Sequence, residues 1–151
     1  MLDTWRRREV AVNPELVQRK ITLILQDLVN LRGLAELAPE AYRSDAKNEV
    51  LAERYLERII GRAIDINYHL VSETLLLSPK DYWDSFLQLS RVGVLDTASA
   101  RSFAQLAGLR NRITHEYNGL DEMLIHEALR RVVAELPEYL RQVTSFLGTQ
   151  R

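Results

Sequence analysis

Cysteine is absent from the 151 residues, which removes disulfides, thiol nucleophiles and thiolate zinc sites from consideration. Glycine and proline are scarce, at six and four residues, so there is little turn chemistry and the composition favours helix. Apolar runs are short: Leu75 to Leu77 is typical, far below the ~20 residues that a membrane span needs. Neither charge dominates, with 20 basic and 21 acidic side chains and a net charge of −1. The molecule therefore has no global pull toward nucleic acid, and any such contact must come from a local basic patch. The opening "MLDTWRRREVAV" has three consecutive arginines without an apolar segment behind them. It does not read as a secretory or twin-arginine signal, and a cytoplasmic protein is expected.

What is present is helical periodicity. Residues 1–12 show none and are expected to form an arm. Asn13 and Pro14 then make a helix start, with Asn able to cap the orphan amides and Pro suited to the first turn. Val17, Ile21, Ile24, Leu28, Leu31 and Ala35 recur at spacings of four and three, one stripe of a helix that ends near Pro39. Ala52, Leu56, Ile59, Ala63, Ile66 and Leu70 repeat the pattern in a second helix. It begins between Tyr42 and Lys47 and is stopped by Ser78 and Pro79. A shorter helix covers "DYWDSFLQLSRVG" and ends at Gly93. Asp96 is placed to cap a fourth, terminated by Asn118 and Gly119. Asp121 caps a fifth, in which Ile125, Leu129, Val132, Leu136, Leu140, Val143 and Leu147 face one way and Pro137 predicts a kink. No alternating strand pattern competes. The expectation is an all-α antiparallel bundle of about five helices, with residues 13–151 as one domain.

Few residues can carry chemistry. The residues three before His69, His115 and His126 are Ile66, Arg112 and Met123, so the Glu-x-x-His pairs of metal-binding bundles are missing. H-E-x-x-H and Gly-rich phosphate loops are missing too; no metal and no cofactor are expected. His126 reads as a surface or boundary residue. Asp65 and His69 share a helix face at a spacing of four, either as a satisfied boundary interaction or as an oriented acid–base pair. His115 stands in different company. Residues 110–117, "RNRITHEY", have Ile113 as their one aliphatic side chain.

At about 100° per residue, Arg110, Thr114 and Tyr117 fall on one ridge, with Asn111 and His115 beside it. Arg110 and His115 are about 140° apart. Their cooperation needs a curled arginine, an early helix end or a second subunit. Two readings stand at this point. One is a solvated last turn, where the helix dipole favours cations. The other is a site that binds something charged, because Asn, Thr, His and Tyr stand where Lys and Glu would serve a plain surface.

Arg110-x4-His115-x-Tyr117 resembles the R-x4-H-x-Y motif of the HEPN superfamily, in its HepT-like ribonuclease toxin branch. The flanks are similar as well. "LAERYLERIIGRAIDINYHLVSE" resembles the second helix of that branch. "SPKDYWDSFLQLSRVGVLD" and "ASARSFAQLAGLRNRITHEYNGLD" resemble the third and fourth. The likeness runs from about Pro14 to Leu147 and leaves out the arm.

The resemblance implies a homodimer whose two motifs face a shared cleft, acting as a metal-independent endoribonuclease toxin. Arg110 and His115 would be its catalytic pair, with Asn111 and Arg112 binding the RNA phosphates. It also implies an MntA-type minimal nucleotidyltransferase as antitoxin, which attaches AMP to the motif tyrosine, here Tyr117. Apart from the resemblance, the shared helix face of Asp65 and His69 makes them candidates to orient His115 or line the cleft. The chemistry suits these residues. RNA supplies its own nucleophile, the 2′-OH. An imidazole with an ordinary pKa near ~6.5 can move protons, and a guanidinium can hold developing charge at phosphorus. The alternative is a non-catalytic HEPN dimer serving as partner or adaptor of a nucleotidyltransferase. A plain structural bundle is the third reading.

Overall fold

The structure, a computed structural model, describes residues 11–115 and 122–150. Tyr117, Asn118, Gly119 and Asp121 lie outside the described residues, as does most of the 1–12 arm. Six helices and no strand are found among the described residues: α1 (Pro14–Ala35), α2 (Pro39–Arg43), α3 (Ala46–Leu75), α4 (Tyr82–Arg91), α5 (Thr97–His115) and α6 (Glu122–Thr149). None is long and apolar enough to cross a membrane. The difference from five expected helices is α2. Pro39 ends one helix and opens a single further turn, which drives Tyr42 into the core at 1% exposure.

The apolar stripes are the core. Every residue of the three periodic series is buried, because a repeat of four and three keeps one face of a 3.6-residue helix turned inward. The caps follow the chemistry of the side chains. Asn13 accepts from the Leu16 amide at 3.2 Å, Asp45 from Lys47 at 2.9 Å and Asp81 from Asp84 at 2.7 Å. Asp96 accepts from the Ser99 amide at 2.8 Å and from its hydroxyl; these bonds hold its carboxyl below the usual carboxylate range.

Helix α4 closes with Val94 N–H donating to the Leu89 carbonyl and Gly93 N–H to that of Ser90. Gly93 sits at φ +79°, the left-handed residue this ending requires. Helix α3 stops earlier than Ser78 and Pro79: Leu76 itself turns left-handed at φ 56°. In α6 the helix continues through Pro137, which has no N–H to donate to the Val133 carbonyl.

Cross-contacts order the bundle. Asn13 meets His69, Lys20 meets Asp65, and Asp27 meets Arg58 and Arg62. Positions rise on α1 as they fall on α3, so the two helices are antiparallel. The same holds for α5 and α6, where Ser99 meets Gln142 and Gln105 meets Arg131.

A buried polar chain ties three helices together. The Tyr139 hydroxyl donates to Asn67 Oδ1 at 2.6 Å, Asn67 Nδ2 donates to Ser85 Oγ at 3.2 Å, and Ser85 donates to the Tyr82 carbonyl at 2.6 Å. Burial pushes the Tyr139 phenol well above its ordinary range, so it is a hydroxyl donor at all physiological pH. Tyr139→Phe leaves Asn67 Oδ1 buried without its donor. It is expected to cost about 1–3 kcal/mol, read as a lower urea midpoint at unchanged slope.

His126 differs from its expectation. It is 1% exposed, with its ring 4.5 Å from that of Tyr42, so it is a core residue wedged between α6 and α2. Spacing could not reveal this, because α2 supplies the covering ring.

Candidate active site

Helix α3 builds one wall of a groove from a second stripe. Arg54, Arg58, Gly61, Asp65 and Tyr68 follow one another at spacings of four and three, and all line a hollow of about 580 Å³. Lys20 of α1, Tyr82 of α4 and Arg110 of α5 complete it. Among the described residues, five basic side chains (Lys20, Arg54, Arg58, Arg62 and Arg110) stand there against the two carboxylates of Glu57 and Asp65. Most of the cations are engaged. Lys20 pairs with Asp65 at 3.0 Å, and Arg54 lies 3.6 Å from Glu57. Arg58 and Arg62 converge on Asp27 Oδ2 at 3.2 and 2.6 Å. Asp27 is 4% exposed, so this pairing anchors the groove wall from behind.

Arg110 is the exception. Its guanidinium carbon lies 5.3 Å from the centroid of the Tyr82 ring, within reach of the attraction between a cation and an aromatic face. Its Nε is buried and has no hydrogen-bond partner among the described residues. A Cβ at Gly61 would come within 3.6 Å of that Nε, so the backbone of α3 passes close beside the arginine. Tyr68 meets Tyr82 edge-on at 6.1 Å and backs the ring on which Arg110 rests. Burial raises the Tyr68 phenol above its ordinary range, helped by Tyr82, Asp81 and Asp84 nearby. The groove thus holds one oriented guanidinium with no anion of its own among the described residues.

The other expected site residues are distributed around it. Asp65 lines the same groove but is engaged by Lys20. His69 accepts the Asn13 amide on Nε2 at 2.9 Å and so secures the start of α1. Asn111 and Arg112 open on two neighbouring hollows. Thr114 folds back to the Arg110 and Asn111 carbonyls at 3.0 and 3.2 Å. His115 is exposed at the end of described α5 and lines none of these hollows. Arg110 and His115 line no common hollow among these three, in keeping with the wide angle between them on the helix. Gly61, Tyr82 and the α3 stripe escaped the sequence reading, although the stripe has the same periodicity as the core.

The helical fold recurs in solved structures. The tri-AMPylated Shewanella oneidensis HEPN toxin, solved in complex with an MNT antitoxin, superposes with a TM-score of 0.79. It is 17% identical, over 88% of this chain and 99% of that one. YutE of Bacillus subtilis, described as a cytosolic protein of unknown function, gives 0.78 at 15% identity, over 92% and 93%. At these identities the likeness is one of fold. Sequence comparison is more specific. Residues 24–143 match the family described as Ribonuclease HepT-like. The tRNA nuclease HepT of Aphanizomenon flos-aquae (strain 2012/KM1/D3) is 31% identical over 140 residues, covering 91% of this chain and 94% of that protein. The chain belongs to the HepT-like ribonuclease family and is an endoribonuclease.

Proposed function

We propose that this protein is the toxin of a type VII-like toxin–antitoxin pair, cutting RNA without a metal through the substrate's own 2′-OH. The observation that carries the reading is Arg110, set over the Tyr82 ring in a basic groove with its Nε unpartnered among the described residues. A fixed, always-charged fork there stabilises the phosphate as it gains negative charge. The 2′-oxygen attacks phosphorus and the bond to the 5′-oxygen breaks, leaving a 2′,3′-cyclic phosphate and a 5′-hydroxyl. His115 moves the proton, as base toward the 2′-OH or as acid toward the departing oxygen. Its exposure away from the Arg110 groove supports a homodimer in which a second protomer completes the site. Asn111 and Arg112 hold substrate beside it, and Asp65 and His69 act indirectly, by tethering α1 to the groove wall.

Regulation belongs to the same proposal. An MntA-like nucleotidyltransferase antitoxin transfers AMP to Tyr117, two residues beyond the histidine. The added bulk and negative charge would compete for Arg110 and exclude RNA. The solved HEPN toxin's AMPylated state and MNT partner support this reading. A cytoplasmic site of action suits an RNA substrate.

The deciding experiment incubates purified protein with RNA in EDTA and analyses the ends. Cyclic phosphate products, and resistance of strands carrying 2′-O-methyl groups, are expected. Metal-dependent cleavage that leaves 5′-phosphates would refute the mechanism.

A further inference from the structure

At the start of α4, Tyr82 and Trp83 stand 45% and 44% exposed. Tyr82 borders two hollows, the Arg110 groove and a smaller one of about 270 Å³. The smaller hollow is lined by Asp81, Tyr82, Trp83, Ala107, Gly108 and Asn111. Trp83 in turn borders a third, which contains Arg112. The consecutive residues Arg110, Asn111 and Arg112 therefore open on three different hollows, and the two aromatic rings are the partitions between them.

We propose that the hollow between Tyr82 and Trp83 receives an unpaired RNA base next to the phosphate held by Arg110. This rests on the ribonuclease mechanism above and extends it. Aromatic faces stack bases of any sequence, and arginine beside them serves the backbone. The lining separates the two tasks. The Asp81 carboxylate repels phosphate from the smaller hollow, whereas the Asn111 amide offers a donor and an acceptor to the edge of a neutral base. Gly108 leaves open space where its side chain would stand, which gives a flat ring room beside α5. A base paired in a helix cannot enter, because it would first have to leave its stack. The Ser85 hydroxyl, bonded to the Tyr82 carbonyl, holds the partition at its root.

The test measures binding of a short single-stranded 2′-O-methyl oligonucleotide, which cannot be cut, against an abasic strand of the same length. Wild type is expected to prefer the base-bearing strand. Trp83→Leu and Gly108→Leu, which remove a wall and fill the hollow, should each weaken that binding roughly 10- to 100-fold and leave the abasic affinity unchanged. Trp83→Phe should restore most of it. Melting curves establish that the variants are folded. Variants that keep the base-dependent preference overturn the proposal. If they lose self-association or antitoxin binding instead, the ridge is a protein interface and the proposal equally falls. Wild type that cuts RNA yet binds both strands alike overturns this inference alone. Wild type that neither cuts nor binds RNA removes the mechanism beneath it as well.

Discussion

His115→Ala is expected to lower the rate of RNA cleavage roughly 10²- to 10⁴-fold, the contribution of a positioned proton-transfer group, with little change in substrate affinity or stability. His115 is exposed at the end of described α5, so its loss opens no cavity and strands no buried partner among the described residues. Arg110 should behave differently. Arg110→Lys keeps the charge but loses the planar fork that lies over Tyr82, and both the rate and the affinity should fall. Single-turnover cleavage with saturating enzyme separates the two effects. A His115→Ala protein that cuts at the wild-type rate would remove the proton-transfer role, whatever Arg110 does. In a dimer, mixing His115→Ala with Arg110→Ala subunits is expected to restore part of the activity if each site draws on both protomers.

Asp27→Ala is expected to have the largest effect on stability, about 2–4 kcal/mol, or roughly 5–15 °C in Tm for a chain of this size. The Asp27 side chain is 5% accessible; its Oδ2 accepts from Arg62 at 2.6 Å and forms an ion pair with Arg58 at 3.2 Å. Its removal leaves Arg62, itself only 19% accessible, with a partly buried charge and no carboxylate. Arg62 also reaches the Leu23 carbonyl at 3.4 Å, a weak substitute. Removing both partners should be milder than removing one, so Asp27→Ala combined with Arg62→Leu should recover part of the loss. Calorimetry on the three proteins checks this. A double variant no more stable than Asp27→Ala would mean that the pair does not carry the effect.

The inward faces of α1, α3 and α6 were legible from spacing alone, whereas the single turn of α2 was not. Periodicity is a local property, and burying a stripe is the one way such a helix can be stabilised in water. Capping residues were legible for the same reason: Asn13 and Asp96 act on amides two or three residues away. The motif, too, is local, and its resemblance indicated the family before any packing was known. What tertiary structure decided is what helices do to one another. It turned His126 from a boundary residue into a core ring under Tyr42 and showed His69 tethering the start of α1. It also made the α3 series of Arg54, Arg58, Gly61, Asp65 and Tyr68 the wall of the Arg110 groove. That series repeats as regularly as the core, but a polar stripe looks the same whether it faces water or another helix. Only the packing of α1, α4 and α5 against α3 makes it a groove. An arginine there gains an aromatic support and a chemical role because the contacts come from segments far apart in the chain.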